Sequence, residues 1–203
     1  MEGATAITPT RTLDVLAIPG SIGLGSFDAS LIDSAAREAP GDVRLLRYTE
    51  PSLWSMPPYS PGAQPDGGVR RLRAAVRGAD ALLLVTPEYN GSFPAVTKNA
   101  IDWTAAALEE EQELGVAAAP IAGKPVAVVG ADPGSLGCDW AVADARKVLE
   151  VAGARILPDS LAIRSAGDAF AEDGRLVGHA ERARLGALME LLAVEARAVP
   201  AAG

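Results

Sequence analysis

Three apolar runs separated by helical patterns constrain the fold of this chain more than any other feature. They are LDVLAIPG (13–20), ADALLLVTP (79–87) and KPVAVVGA (124–131), each with the length of a buried strand. The second run has no polar alternation in its centre, as expected for a strand covered on both faces. Such alternation of strands and helices is typical of parallel strands joined by crossover helices. The sequence therefore predicts an α/β fold with 79–87 in the middle of the sheet.

Two shorter strands and five helices complete the predicted architecture. The strands are DVRLLRY (42–48) and ARILPDSLAI (154–163), and the helices cover 26–39, 69–79, 93–111, 139–154 and 179–197. Ser26 is expected to cap the first helix, and Gly153 to end the fourth. Segment 49–68 is rich in Pro, Gly and Ser and predicts an irregular surface excursion. Together these elements predict a three-layer, five-stranded, parallel doubly wound sheet in a single domain spanning 1–203. Residues 1–11 and 199–203 are expected to be flexible tails.

The residue inventory excludes several classes of function. A net charge of −8 and a pI near 4.7 argue against nonspecific binding to nucleic acid, which requires basic patches. Cys138 is the only cysteine and His179 the only histidine, so an intrachain disulfide, a cysteine-rich metal site and a multi-histidine zinc site are excluded. We expect no metal and no membrane insertion. The N-terminus lacks the pattern of a secretory signal, so a cytoplasmic location is expected.

Ligands of doubly wound sheets bind at the carboxyl ends of the strands, so the loops after the first, third and fourth strands are the informative ones. The first, PGSIGLGSFDAS (19–30), leads into a helix whose amides favour an anion, with Ser21 and Ser26 as hydroxyl donors. It matches neither the Walker nor the GxGxxG pattern. Taken alone, it is equally well explained as a tight turn before a capped helix.

The second loop, TPEYNGSFPAVTKNAIDW (86–103), resembles the TPEYN-S-PG-LKNAIDW signature of the NAD(P)H-dependent FMN reductases. That family includes quinone, azo-dye and chromate reductases. The resemblance extends over 13–153, and the third loop, GADPGSLGCDWA (130–141), is similar to the family's loop at the flavin edge. It implies a flavodoxin-like fold, with FMN as cofactor and NADPH or NADH as hydride donor. The implied partners are a small electron acceptor, such as a quinone, an azo compound or free flavin, and further copies of the chain in a homodimer or homotetramer.

The resemblance also implies which residues bind the cofactor. Tyr89 is expected to flank the flavin ring, while Lys98, Asn99, Asp102 and Trp103 support the helix and subunit contacts. No catalytic acid or base is expected, because the cofactor carries the chemistry. Cys138 is expected to be structural. The cofactor-binding residues implied are Ser21, Ser26, Phe27, Asp28, Pro87, Glu88, Tyr89, Asn90, Gly91, Gly134, Ser135, Leu136 and Gly137.

Three departures from the family pattern leave alternatives open. Gly23 stands where an arginine usually pairs with the FMN phosphate, and Asp28 stands where asparagine is common. Loss of a bidentate guanidinium costs about 1.5–3 kcal/mol, which favours a reductase that binds FMN loosely as a substrate. A noncatalytic binding or assembly module is a third hypothesis. The acidic segment 108–113 is interpreted as a solvated helical face, with a position over the cleft as the alternative.

Overall fold

The computed structural model describes residues 11–21, 26–116, 118–134 and 137–199. The described strands form one parallel sheet in the order β2-β1-β3-β4-β5, and β6 also pairs with β4. This is the flavodoxin-like order, so the predicted fold class is confirmed, with β3 at the centre. The strands are β1 (Leu13–Pro19), β2 (Val43–Arg47), β3 (Ala81–Thr86), β4 (Pro125–Ala131), β5 (Arg155–Ile156) and β6 (Leu161–Ile163).

Helices cover both faces of the sheet. Because successive strand residues point to opposite faces, alternate side chains of β1, β3 and β4 enter two separate cores. Leu16, Leu82 and Val126 pack with α2, α3 and α5, whereas Val15, Leu83 and Ala127 pack with α1 and α7. The helices are α1 (Phe27–Glu38), α2 (Gly67–Gly78), α3 (Ala95–Ala105), α4 (Glu109–Glu113), α5 (Asp139–Val151), α6 (Ala166–Ala169) and α7 (His179–Ala198).

The predicted helix over 93–111 is interrupted at 106–108 and begins two residues later than predicted. Helix α3 ends at Ala105, and a separate short helix, α4, follows after a break. Arg73 of α2 explains the break, because its guanidinium donates to the carbonyl oxygens of Trp103 and Ala106, the latter at 2.9 Å. These carbonyls belong to the last turn of α3, where a helix has no internal donors of its own.

The acidic segment is largely a solvated helical face, as predicted, because α4 has no buried residue; the exception is the mostly covered side chain of Glu111. Glu111 accepts hydrogen bonds from Arg73 and Arg77, and Glu110 pairs with Arg70 at 2.9 Å. The guanidinium of Arg73, which is 1% exposed, holds the pKa of Glu111 at about 2. These ion pairs attach α4 to α2. Arg77 in turn accepts a hydrogen bond at its carbonyl from Lys124, directly before β4, so these ion pairs lie towards the amino edge of the sheet, opposite the cleft, and argue against the alternative position.

The predicted fifth strand is split into two short strands. Arg155–Ile156 pairs with the start of β4, and Leu161–Ile163 pairs with its end. Between them, Arg146 donates to the carbonyl oxygens of Pro158 and Asp159, both at 3.0 Å. Pro158 has no amide hydrogen to donate to a neighbouring strand. Arg146 binds the carbonyl oxygens that strand pairing leaves without a partner.

Segment 49–68 is largely irregular, as predicted, but contains one 3-10 turn at Pro51–Trp54, and α2 begins two residues earlier than expected. Of the predicted tails, Arg11 forms an ion pair with Asp80 at 2.6 Å, while 1–10 and 200–203 lie outside the described residues. Within the described ranges, no helix is both long enough and apolar enough to cross a membrane.

Candidate functional site

The loops that follow β1, β3 and β4 lie at the same edge of the sheet because the three strands are parallel neighbours. Gly20, directly after β1, shows how closely the first two loops approach. A Cβ atom at this position would lie 2.8 Å from the carbonyl oxygen of Val85 and 3.0 Å from Cδ of Pro87. Only glycine permits this approach, so the first loop rests on the end of β3.

The second loop contains a tight turn that presents Tyr89 and Asn90 to solvent. The backbones of Tyr89 and Ser92 exchange hydrogen bonds of 2.8 and 3.2 Å. Between them, Asn90 and Gly91 have φ angles of 53° and 81°. Two consecutive left-handed residues define a turn that Asn-Gly forms readily. The turn leaves the Tyr89 side chain 56% exposed at the carboxyl edge.

Two side chains of the second loop connect it to helix α5. Glu88 accepts a hydrogen bond of 3.1 Å from the backbone amide of Ala141, in the first turn of α5. Ser92 donates to Asp144 at 2.9 Å. A carboxylate at a helix N-terminus is favoured by the free amides and the dipole. The resemblance assigned Glu88 to the cofactor, whereas its side chain joins the second and third loops; this role has no local signal in the sequence.

Hydrogen bonds of the Gly134 backbone hold the third loop in place, one with a side chain and one with the main chain. The amide of Gly134 donates to Asp132 at 2.7 Å, and the carbonyl of Gly134 accepts from the amide of Ser165 at 3.1 Å. Gly137 has a φ of 72°, and a Cβ atom there would lie 2.6 Å from Cγ of Arg164. The predicted site residues Ser135 and Leu136, like Gly23 of the first loop, lie outside the described residues.

The predicted residues of the first loop take different roles. Ser26 is the N-cap of α1, as predicted, and its hydroxyl accepts from the amide of Ala29 at 3.4 Å. The ring of Phe27 stacks on Phe170, with 6.0 Å between centroids. Sequence reasoning did not foresee this partner, which comes from the far end of the chain.

Asp28, which the resemblance assigned to the cofactor site, is buried, with 1% of its surface exposed. Burial raises its pKa to about 6, and hydrogen bonds from Ser21 and from the amide of Gly20 offset this only in part. Its Oδ2 atom has no hydrogen-bond partner among the described residues. The carboxyl group therefore lies beneath the first loop.

The second half of segment 86–103 anchors helix α3 to the segment that contains Pro57 and Tyr59. Asn99 accepts from the amide of Tyr59 at 2.7 Å and donates to the carbonyl of Pro57 at 3.1 Å, and Trp103 donates to that carbonyl at 2.7 Å. The ring of Tyr59 meets Trp103 edge-on at 5.2 Å. Lys98 pairs with Asp102 along the helix at 2.7 Å. These contacts agree with the predicted supporting role within the chain.

Cys138 also agrees with its predicted structural role. Its side chain is buried at the start of α5. Burial, with carboxylates nearby, raises the pKa of the thiol to about 12. A thiol that remains protonated is a poor nucleophile.

The carboxyl edge has the chemistry that FMN requires. A flat, uncharged ring is served by an exposed aromatic side chain, which Tyr89 provides, and by polar backbone groups in the loops around it. A phosphate is served by hydroxyl groups beside a helix N-terminus, which Ser21 and Ser26 provide before α1. The residues present therefore fit the cofactor.

Comparisons with known proteins agree with this geometry. The chain matches the family described as NADPH-dependent FMN reductase over residues 13–168. It is 34% identical over 168 residues to an NAD(P)H-dependent FMN reductase of Pseudomonas aeruginosa, which covers 81% of this chain and 85% of the relative. A quinone reductase of Escherichia coli K12 is 32% identical over 132 residues, or 63% of this chain and 64% of the relative.

Solved structures show the same architecture. FerB from Paracoccus denitrificans, a flavoenzyme NAD(P)H:(acceptor) oxidoreductase, has a TM-score of 0.73 and 25% identity, covering 91% of this chain and 97% of its own. An archaeal flavodoxin has a TM-score of 0.51 at 9% identity, covering 91% of this chain and 99% of its own. At that identity, the second likeness concerns the fold alone.

Proposed function

This chain belongs to the NADPH-dependent FMN reductase family, and we propose that its FMN lies at the carboxyl edge, between the loops after β1, β3 and β4. The chain is an oxidoreductase that uses FMN and NAD(P)H. The observation that carries the proposed location is the joining of the second and third loops through Glu88 and the amide of Ala141. This bond fixes two loops of one cleft relative to each other.

Each loop has a proposed part in holding the cofactor. Ser21, Ser26 and the N-terminus of α1 bind the phosphate, and Tyr89 lies against the ring. Backbone groups of the second and third loops contact the polar edge of the ring, since a short hydrogen bond there requires close approach of the main chain. The remaining residues proposed for the site are Phe27, Asp28, Pro87, Glu88, Asn90, Gly91, Gly134, Ser135, Leu136 and Gly137.

FMN, when bound, supplies the redox chemistry by accepting a hydride from NAD(P)H and delivering two electrons to an acceptor. The residues of the chain would bind and orient FMN. They would leave one face of its ring open, so that the two substrates can reach it in turn. We propose a small quinone as the acceptor, because relatives include enzymes named quinone reductase and 2-hydroxy-1,4-benzoquinone reductase. The overall reaction converts NAD(P)H, a proton and a quinone into NAD(P)⁺ and a hydroquinone.

A second candidate function is reduction of FMN as a loosely bound substrate. Asp28 favours it, because the buried carboxyl group lies in the first turn of α1, beneath the proposed phosphate position. A negative charge there opposes a phosphate. Gly23 adds to this effect, since the guanidinium usual in the family is missing from the sequence.

The experiment is a titration of flavin-stripped protein with FMN, followed by flavin fluorescence. We expect saturable binding, and bleaching of the flavin absorbance when NADH or NADPH is added. Tyr89→Ala is expected to weaken FMN binding by about twofold to tenfold, the range measured for aromatic contacts. Val194→Ala is the matched control, because this exposed valine lies on α7, away from the three loops.

The two candidate functions give different results in this titration. A resident cofactor predicts submicromolar binding, whereas FMN as substrate predicts weak binding with multiple turnovers of added flavin. Absence of binding at high FMN concentration would contradict both and favour the noncatalytic module.

We also propose that the chain forms a homodimer or homotetramer. Support comes from the family resemblance and from a largely apolar surface beside α3 that is lined by Trp54, Met56, Pro58, Ala95 and Val96, together with the polar Lys98, Asn99 and Asp102. Such an apolar surface is suited to a second copy of the chain. Light scattering of the purified protein tests this, and a monomeric mass at micromolar concentration would contradict it.

A further inference from the structure

Trp140 is a large aromatic side chain that the proposed cofactor site does not use. It is 65% exposed, although an indole is among the most costly apolar groups to leave in water. Among the large apolar side chains that are exposed in the described residues, two are aromatic: Trp140 and Tyr89. They lie in neighbouring loops at the carboxyl edge of the sheet. Such a pair is unexpected on a surface that has no ligand.

The position of Trp140 is fixed by the tight turn of the second loop. A Cβ atom at Gly91 would lie 3.3 Å from Cε3 of the indole, so the ring packs directly on the backbone of this turn. A hydrogen bond also connects this turn to α5, because the Ser92 hydroxyl donates to Asp144 at 2.9 Å. The indole is therefore held against the turn that contains Tyr89, with most of its surface open to solvent.

The charges around these two rings are predominantly negative. The carboxylates in the adjoining loops and first turns of α5 are Glu88, Asp132, Asp139 and Asp144. Two cations contact them: Arg164 pairs with Asp139, and Lys147 pairs with Asp144 at 2.6 Å. Four carboxylates against two cations leave an excess of negative charge, which disfavours an anionic ligand.

We propose that Trp140 determines acceptor specificity by stacking against a neutral, planar aromatic acceptor such as an unsubstituted naphthoquinone. The inference rests on the proposed function, because it concerns the acceptor of the same reaction. Two exposed aromatic rings in neighbouring loops favour flat π-systems, and the acidic surroundings favour uncharged ones. Trp140 binds and orients the acceptor and takes no part in electron transfer.

The test compares the KM for 1,4-naphthoquinone with the KM for ferricyanide, a compact anion without a ring. Trp140→Ala is expected to raise the naphthoquinone KM by about twofold to tenfold and to leave the ferricyanide KM within about twofold. Trp140→Phe, which keeps an aromatic face, is expected to restore most of the difference. Val151→Ala is the matched control, because Val151 is an 86% exposed apolar residue at the other end of α5.

A binding measurement separates this inference from the proposed function. Saturation-transfer NMR of 1,4-naphthoquinone with FMN-supplemented protein, without NAD(P)H, reports contact in the absence of turnover. Weaker transfer in Trp140→Ala supports the inference even if the unsubstituted protein reduces neither acceptor, a result that would overturn the proposed function alone. Equal changes in both KM values, no change in either, or a changed molecular mass of the variant by light scattering would overturn the inference.

Discussion

The two halves of segment 86–103 differ in exposure and in the kind of contact they make. Residues 89–92 form a turn at the surface, with Tyr89 and Asn90 exposed and two left-handed residues between its ends. Residues 99–103 lie in α3, and Trp103 is fully buried against Tyr59 and Pro57. One continuous sequence match therefore contains both a proposed binding surface and the scaffold behind it. Substitutions in the two halves should separate stability from binding.

Trp103→Ala is expected to give the largest effect. Removal of a fully buried indole and its hydrogen bond to Pro57 should lower the free energy of unfolding by about 3–5 kcal/mol, measured by urea denaturation. Trp140→Ala is the matched control and should change this free energy by less than about 0.5 kcal/mol, because its indole is mostly exposed. Similar losses in both variants would remove the distinction between the two halves.

Arg73→Met tests the support that the scaffold half receives from α2. The substitution removes the guanidinium that donates to the carbonyls of Trp103 and Ala106 and leaves Glu111 with Arg77 alone, and should cost about 3–5 kcal/mol of unfolding free energy. Arg71→Met is the control on the same helix; its pair with Glu50 is about half exposed, so a loss below about 1 kcal/mol is expected.

The ion pair between Arg73 and Glu111 predicts that the free energy of unfolding depends on pH in the acid range. The folded-state pKa of Glu111 is about 2, below its ordinary value of 4.5, so its contribution is complete above about pH 4.5 and is lost as the pH falls towards 2. Denaturation at several pH values should show a smaller loss over this range in Arg73→Met. An unchanged acid profile in that variant would contradict the assigned ion pair.

Asp28→Asn tests a residue at the site edge that is buried like the scaffold. Its folded-state pKa of about 6 lies above the ordinary 3.8, so the unsubstituted protein should gain stability as the pH falls from 7 to about 4. The variant should be about 1–2 kcal/mol more stable at pH 7 and should lack this gain.

Asp28→Asn should also bind FMN more tightly, because a negative charge near the phosphate is removed. Loss of stability at pH 7 would show that the ionised carboxylate is structurally required.

Gly91→Ala is expected to have the smallest effect on stability. A left-handed φ of 81° and contact with Trp140 should together cost about 1 kcal/mol, measured by thermal unfolding. Gly78→Ala is a matched control, since a Cβ atom there meets nothing within 4 Å. A neutral Gly91→Ala would indicate that the turn relaxes easily and does not fix the indole.

The strands and most helices were predictable because their signals are local. The uninterrupted run of buried residues 81–86 predicts a central strand. The position of Ser26 before the helical pattern predicts that it caps α1. The features that escaped prediction depend on distant partners. Arg73 ends α3 from another helix, and Arg146 binds the backbone that interrupts the edge strand. No local pattern in the sequence reports such contacts.

The site shows the same division. The resemblance brought together the three loops at the carboxyl edge, where the structure also places them. It did not predict that Glu88 caps α5 or that Asp28 lies buried beneath the first loop. Both roles arise because the loops fold against each other, so they follow from tertiary structure alone.

The central claim is that FMN binds at the carboxyl edge, and hydrogen–deuterium exchange with and without FMN tests it most directly. We predict slower exchange at 26–28, 88–92 and 137–141 when FMN is added, with no change at 109–113, which lies at the other end of α3. Protection confined to regions outside the three loops, or no protection at saturating FMN, would contradict the account.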